Sequence, residues 1–330
     1  MKAVVCRELG PPEKLVIAEL PDPEPGPGEV RIRVASAGVN FPDTLQIAGR
    51  YQNKLPPPFT PGVEVAGTVI ETGKGVKDRS VGDRVAAFLP GGGYAEQVVV
   101  AADRTLVLPA RLDVADAGGF PIVYGTALHA LRQRGALTTG ETLLVLGASG
   151  GVGLAAVHVG KLMGARVIAA ASTWEKRRLC TQHGADEAVD YATRNLKDEV
   201  RALTDKRGVD VIFDPVGGRY ARDCLSVLAW QGRWLIIGFA GGGIPEIPAN
   251  LLLVKGIAAV GVFWGSFTQH EPAVNVQNFA QLFEWVAQGR LQPLVTRRYR
   301  LDDAAIALRD LLERRIVGKV VLVPGGTPGT

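Results

Sequence analysis

The sequence predicts an α/β protein of two domains, one β-rich and one built on a doubly wound parallel sheet. Three observations predict it. The chain has 330 residues, more than one ordinary core accommodates. Its first third is cut into short apolar runs by glycine and proline. From about residue 125 onward, strand-length apolar runs alternate with helix-length runs, which is the rhythm of parallel βαβ units.

The elements follow in chain order. Residues 1 to about 110 hold the apolar runs 30–34, 63–70 and 97–100, separated by turn material. The prolines of "PDPEPGPGE" (21–29) and "KLPPPFTPG" (54–62) exclude helix and central strand there. Many short strands between such loops indicate a barrel-like or partly open β fold. In the second part, strands are expected at 143–146, 166–170, 188–190, 210–213, 234–237 and 257–260. Helices are expected at 150–163, 174–182, 195–204 and 220–229. The tail carries helices at 275–288 and 302–314 and a strand at 319–323, with no further βαβ rhythm, so it is expected to return to the first domain.

Composition narrows the class. Hydrophobic residues make up 47% and charged residues 21%, enough apolar material for a sizeable core. The net charge of +4 is spread along the chain with few interleaved aromatics, so no nucleic-acid partner is expected. Cys6, Cys180 and Cys224 are odd in number and far apart, which supports neither a disulfide framework nor a zinc cluster. The first residues, "MKAVVCRELG", lack the apolar segment of a signal peptide, and no run suits a membrane span. A cytoplasmic enzyme fits all of this.

The stretch "LLVLGASGGVGLAAV" (143–157) carries the most chemistry. A glycine-rich turn that leaves a branched apolar strand and opens a helix is the setting of a dinucleotide loop, as in a Rossmann domain. Ser149, Gly150, Gly151 and Val152 are the expected phosphate contacts. Gly150 lets the backbone reach a pyrophosphate, and Gly153 lets the helix pack close to the strand. Free N–H groups at the helix start favour the diphosphate. Ala148 stands where the first glycine of the motif is usual, and a purely structural corner is the competing reading.

The end of the second strand reads out which dinucleotide. NAD-binding chains place an acid there to hold the ribose diol. Here the run is "AAASTWEKRR" (169–178), with Ser172 at the tip, Lys176 one turn later and Arg177 beside it. A hydroxyl and a cation suit a 2′-phosphate, so NADPH is expected over NADH. A solvated helix face is the alternative for 175–178. Tyr191, at the end of the third strand, either stacks on adenine, bonds the phosphate, or simply packs.

Taken together, "ASAGVNFPDTLQIAGRY" (35–51), "PGVEVAGTV" (61–69), "GGGYAEQVVV" (91–100), "YGTALHAL" (124–131), "GASGGVG" (147–153), "DPVGG" (214–218) and "GKVVLVP" (318–324) resemble the medium-chain dehydrogenase/reductase superfamily. The chain is most similar to its zinc-free quinone oxidoreductase branch, which includes ζ-crystallin. The resemblance implies a GroES-like β-rich catalytic domain at 1–125, a Rossmann NADPH-binding domain at 126–262, and a return of 263–330 to the catalytic domain. It also implies a homodimer, formed through strand 257–262 extending the Rossmann sheet, with a tetramer as the alternative. Where zinc-dependent members carry a cysteine and a histidine, this chain has Asn40 and Val63, which are poor zinc ligands. His129, His158, His183 and His270 show no ligand spacing. No metal is therefore expected.

The resemblance assigns the remaining site residues. Asn40 lies near the nicotinamide ribose and Asp43 orders its loop, with a structural Asx turn as the alternative for each. Thr126 contacts the nicotinamide end or packs its helix. Val216, Gly238, Phe239, Phe263 and Trp264 belong to the implied cofactor segments; Phe263 and Trp264 are equally readable as core or as a subunit contact. Tyr51 is the implied proton donor or a cofactor neighbour. The implied activity is hydride transfer from NADPH to a quinone. The alternatives are reduction of an α,β-unsaturated carbonyl or enoyl thioester, and coenzyme binding with little turnover.

Overall fold

The computed structural model describes residues 1–325, and the chain divides into two compact units. One comprises Met1–Ile122 and the chain from Phe283 onward; the other is Val123–Leu282.

The first unit opens with the antiparallel pair β1 (Lys2–Cys6) and β2 (Leu15–Glu19). Its main sheet is built from β3 (Glu29–Gly38), β4 (Glu64–Thr72), β5 (Arg84–Phe88), β6 (Gln97–Ala101) and β7 (Thr105–Val107). Both proline-rich loops lie outside these strands, since proline lacks the N–H that a ladder needs. β3 alternates inward and outward side chains, so Val30, Ile32 and Val34 reach the core beside Val65, Val69 and Val85. Two short helices, α1 (Phe41–Ile47) and α2 (Val114–Ala117), follow turns that begin with Asn40 and Asp113. The loop that the sequence implies around Asp43 is here the first turn of α1. Pro42 sits in its first turn, where the missing N–H costs nothing.

The chain then enters α3 (Pro121–His129), whose helix continues into a π turn over Ala130–Arg134. Six parallel strands follow: β8 (Thr142–Leu146), β9 (Arg166–Ala171), β10 (Glu187–Asp190), β11 (Val209–Asp214), β12 (Leu228–Ile236) and β13 (Ala258–Gly261). They line up as β10-β9-β8-β11-β12-β13, so the strand order reverses between β8 and β11. That switch point is where an open α/β sheet offers a crevice to ligands. All five residues of β8 are buried, because helices cover both faces and an uninterrupted apolar run is then required. The connecting helices are α4 (Gly151–Leu162), α5 (Trp174–Gln182), α6 (Leu196–Leu203), α7 (Ala221–Val227) and α8 (Ala249–Lys255).

After β13 come α9 (Trp264–His270) and α10 (Pro272–Ala287). The return to the first unit comes at Phe283, later than the boundary at 263 read from the sequence. The reason is packing. Trp264 lies against Gly125, Phe267 stacks on His129 at 3.8 Å, and Asn278 bonds Gln133, so α9 and most of α10 complete the second unit. Back in the first unit, β14 (Val295–Arg300), α11 (Ala304–Leu312) and β15 (Lys319–Val323) close the described chain. β15 pairs with β3 and β14 with β15, so the tail extends the first unit's sheet. Among the described residues, no helix is long and apolar enough to cross a membrane. Cys6, Cys180 and Cys224 are all free and buried.

Candidate active site

In the first unit the candidate residues sit in a buried polar knot where β3 ends and α1 begins. Asn40 is 6% exposed, and its carboxamide is engaged at both ends. Its Nδ2 donates to Glu64 Oε1 at 2.8 Å and to the Gly38 carbonyl at 3.3 Å. Its Oδ1 accepts from Lys319 Nζ at 2.6 Å. Lys319 also lies 2.8 Å from Glu64 Oε1 and donates to the Val39 carbonyl. Glu64 Oε2 accepts the Ile122 amide. Glu64 and Lys319 were not singled out in the sequence, because they are far from Asn40 along the chain and only the fold brings them together.

Asp43 orders the start of α1. Its Oδ2 accepts the Asn40 backbone N–H at 2.8 Å and the Tyr94 hydroxyl at 2.7 Å. Its Oδ1 meets no protein donor among the described residues. Burial pushes the carboxyl up to about 7, against the opposing effect of these two hydrogen bonds and of Lys319. Tyr94, wholly buried, is pushed well above its ordinary range by burial and by Asp43. Tyr51 is half-buried just after α1, its amide bonded to the Leu45 carbonyl. Burial, and then the charge of Asp43, raise its phenol, which keeps it protonated and able to donate.

This knot does not suit a metal. Its donors are the carboxyls of Glu64 and Asp43 and the Asn40 carboxamide; the Lys319 ammonium already bonds Glu64 and Asn40, and Asp43 is engaged by Asn40 N and Tyr94. Among the described residues, no group of three His, Cys, Asp or Glu side chains is arranged to hold an ion.

In the second unit the glycine loop leaves β8 at Gly147, whose φ is +56°. Gly153 packs against the turn itself: a Cβ there would sit 2.8 Å from Ala148 Cα and closer still to the Gly147 carbonyl. Only glycine lets α4 come this near β8. Gly150 caps the helix with open space around it, the nearest atom to a Cβ being 3.5 Å away. The first helical hydrogen bond of α4 runs from Leu154 N to Gly150 O, so the amides of Gly151, Val152 and Gly153 precede it. Ser149 is buried beside them. These features fit a diphosphate.

Ser172 follows β9 directly and is half-buried. Thr173 caps α5 by accepting the Lys176 amide at 3.3 Å, which sets Lys176 in the first turn. Arg177 is not available as a further cation: it pairs with Asp190 at 2.9 Å. Asp190 also accepts the amides of Ala192 and Thr193, so it is committed to shaping the exit of β10. Tyr191 leaves that exit and stacks obliquely on Tyr220, with ring centroids 4.8 Å apart.

Val216 and Gly238 lie in two loops stitched together behind the switch point. Asp214, 1% exposed, accepts Val216 N and Gly217 N at 2.8 Å each and Trp234 Nε1 at 3.0 Å. Burial raises its carboxyl while these three donors oppose the rise. Gly241 N bonds Val216 O, and Ala240 N bonds Pro215 O. Phe239, next to Gly238, and Phe263, between β13 and α9, are exposed, and Thr126 is buried in α3. Of the readings open for Trp264, its side chain takes the core one. Its indole is 4% exposed, donates to Asn275 Oδ1 at 3.0 Å and fills the space left by Gly125, which makes it a core side chain.

Residues 26–110 match the family model described as alcohol dehydrogenase GroES-like domain, and residues 151–287 the one described as zinc-binding dehydrogenase. A quinone oxidoreductase-like protein 2 homolog of Nematostella vectensis is 40% identical over 97% of this chain and 88% of its own length. A mycobacterial protein solved with NADPH superposes with a TM-score of 0.92 at 33% identity, covering 98% of this chain and all of the other. Escherichia coli quinone oxidoreductase, also solved with NADPH, gives 0.90 at 26% identity over 98% and 100% of the two chains. With its GroES-like and Rossmann units and a charged knot unsuited to zinc, the chain belongs to the zinc-free quinone oxidoreductase branch of the medium-chain dehydrogenase/reductase superfamily.

Proposed function

We propose that this protein is an NADPH-dependent oxidoreductase that delivers hydride to a quinone without zinc. When bound, the nicotinamide coenzyme supplies the hydride; the chain supplies binding and orientation. The observation that carries the coenzyme reading is the end of β9. Ser172 stands where an acid would hold a ribose diol, and the neighbouring carboxylate Asp190 is occupied by Arg177 and two backbone amides. The Lys319–Glu64–Asn40 knot supports an acceptor that takes hydride without Lewis-acid help, and a quinone is such an acceptor.

A second reading is favoured by Tyr51. A phenol kept protonated suits the proton delivery that reduction of an enone or enoyl thioester requires. Steady-state oxidation of NADPH with a small quinone and a panel of enones separates the two. The quinone is expected to turn over faster, and Tyr51→Phe to cost enones far more than quinones. Tight NADPH binding without oxidation by any acceptor would establish a coenzyme-binding protein instead.

The same proposal includes a homodimer and a cytoplasmic setting. Among the described residues β13 pairs only with β12, and Leu253, Val254, Ile244 and Trp230 are exposed on the same unit. Three unpaired cysteines suit a reducing compartment. Sedimentation of Val260→Lys beside the unaltered chain checks the dimer; an unchanged oligomeric state would remove the edge strand from the interface.

A further inference from the structure

Arg219 is placed by a loop with little freedom. Gly217 and Gly218 both have φ of +63°, a region that disfavours any side chain. Asp214 holds the amides of Val216 and Gly217, and Gly218 N bonds Gly243 O at 2.9 Å. The loop therefore delivers Arg219 and Tyr220 at a set position beyond β11. Arg219 Nη2 donates to the Tyr220 hydroxyl at 2.8 Å, and its guanidinium carbon lies 5.0 Å from the centroid of that ring. Tyr220 in turn packs on Tyr191. In the strand register Asp190 pairs with Ala171, so Tyr191 and Ser172 are the next residues on neighbouring strands. The exits of β9, β10 and β11 thus come to one rim.

A hollow of about 240 Å³ opens beside the β10 and β11 exits, lined by Tyr191, Thr193, Arg194, Arg219, Tyr220 and Asp223 among others. Its charges are not equivalent. Arg194 pairs with Glu199 at 3.2 Å, and Asp223 is an acid on the lining. Arg219 is exposed and has no carboxylate partner among the described residues. An exposed guanidinium braced on Tyr220, whose ring packs on Tyr191 one residue past the β10 register partner of the β9 end, is a cation that can meet a phosphate.

We propose that Arg219 is a specificity-determining residue for the coenzyme, pairing with a 2′-phosphate on the adenosine ribose while Tyr220 and Tyr191 face the base. This rests on the NADPH reading above and adds a second cation to Lys176. The test is calorimetric titration of the whole chain with 2′,5′-ADP and with 5′-AMP, for the unaltered protein, Arg219→Ala and Arg219→Lys. Arg219→Ala is expected to weaken 2′,5′-ADP about tenfold and 5′-AMP by less than about twofold, with part of the loss recovered in Arg219→Lys. Added salt is expected to shrink the difference. Equal losses for both probes would make Arg219 a base-stacking residue and overturn the phosphate assignment. Unchanged affinities, with the unaltered protein still preferring 2′,5′-ADP, would overturn the proposal and leave the NADPH reading standing. No preference in the unaltered protein would overturn both. Arg219 makes no interior contact, so its variants should keep the melting temperature of the parent.

Discussion

Lys319 Nζ lies 2.8 Å from Glu64 Oε1, and both side chains are withdrawn from solvent, at 7% and 0% exposure. The pair joins β15 to β4 and holds Asn40 between them. Removing one partner of a buried pair strands the other charge. Lys319→Met is therefore expected to cost about 3–5 kcal/mol in urea unfolding. The double variant Lys319→Met/Glu64→Gln leaves no stranded charge and should cost clearly less than the single one. A double variant as unstable as Lys319→Met would mean that packing, not charge, holds this region.

Asp43 should make stability depend on pH in an uncommon direction. Its folded carboxyl titrates near 7, well above the ordinary 3.8, because burial outweighs the Tyr94 and Asn40 hydrogen bonds. The folded state therefore binds more protons than the unfolded state between about 4 and 7. This group's contribution is present below that window and lost as pH rises through it. Glu64 and Lys319 are the other charged groups that act on Asp43, and Tyr94 donates to it. Asp43→Asn keeps an oxygen for both donors and cannot ionise, so it should flatten the profile and match or exceed the parent above pH 7. Unfolding free energies measured from pH 5 to 8 check this, and a variant that keeps the parent's slope would assign the pH dependence elsewhere.

Asp214 should govern the loop behind the switch point. It is the acceptor for Val216 N, Gly217 N and the wholly buried Trp234 indole. Asp214→Ala leaves three donors without a partner, for an expected loss of about 2–4 kcal/mol. Asp214→Asn retains an acceptor and should lose less. Because the same loop carries Val216 and presents Arg219, nucleotide affinity should fall together with stability. Affinity that survives intact in a destabilised Asp214→Ala would separate the loop from the binding site.

How much of this was legible in the sequence depended on distance along the chain. The glycine loop was readable because strand, turn and helix are adjacent, and Gly153 meets residues only a few positions away. Arg177 looked like a second cation because its partner Asp190 lies on the next strand, which a reading of 169–178 does not include. Asn40 looked available for a ligand. Its partner Lys319 is 279 residues away and becomes a neighbour only when β15 joins β3. Trp264 stays open between cofactor segment, core and subunit contact in the sequence, because local pattern does not reveal that Gly125 leaves room for an indole. The helix α9 that carries it is short and follows a strand-like run, so periodicity gave no sign of it.

The two glycines of the loop should respond differently, and the difference tests the phosphate cradle. A Cβ on Gly153 would meet backbone atoms of Gly147 and Ala148, so α4 must withdraw from β8. Gly153→Ala is expected to lose about 1–3 kcal/mol of stability, and NADPH affinity with it. Gly150 has an ordinary φ of −82°, and its nearest obstacle is 3.5 Å away. Gly150→Ala should therefore change stability by less than about 1 kcal/mol, as expected for a cap position. Yet a methyl group there stands in the open space before the amides of Gly151 and Val152, where a diphosphate would come to lie. Affinity for NADPH should fall by at least about tenfold without loss of fold. Unfolding and coenzyme titrations on both variants decide it, and parental affinity in Gly150→Ala would mean that the loop is a structural corner only.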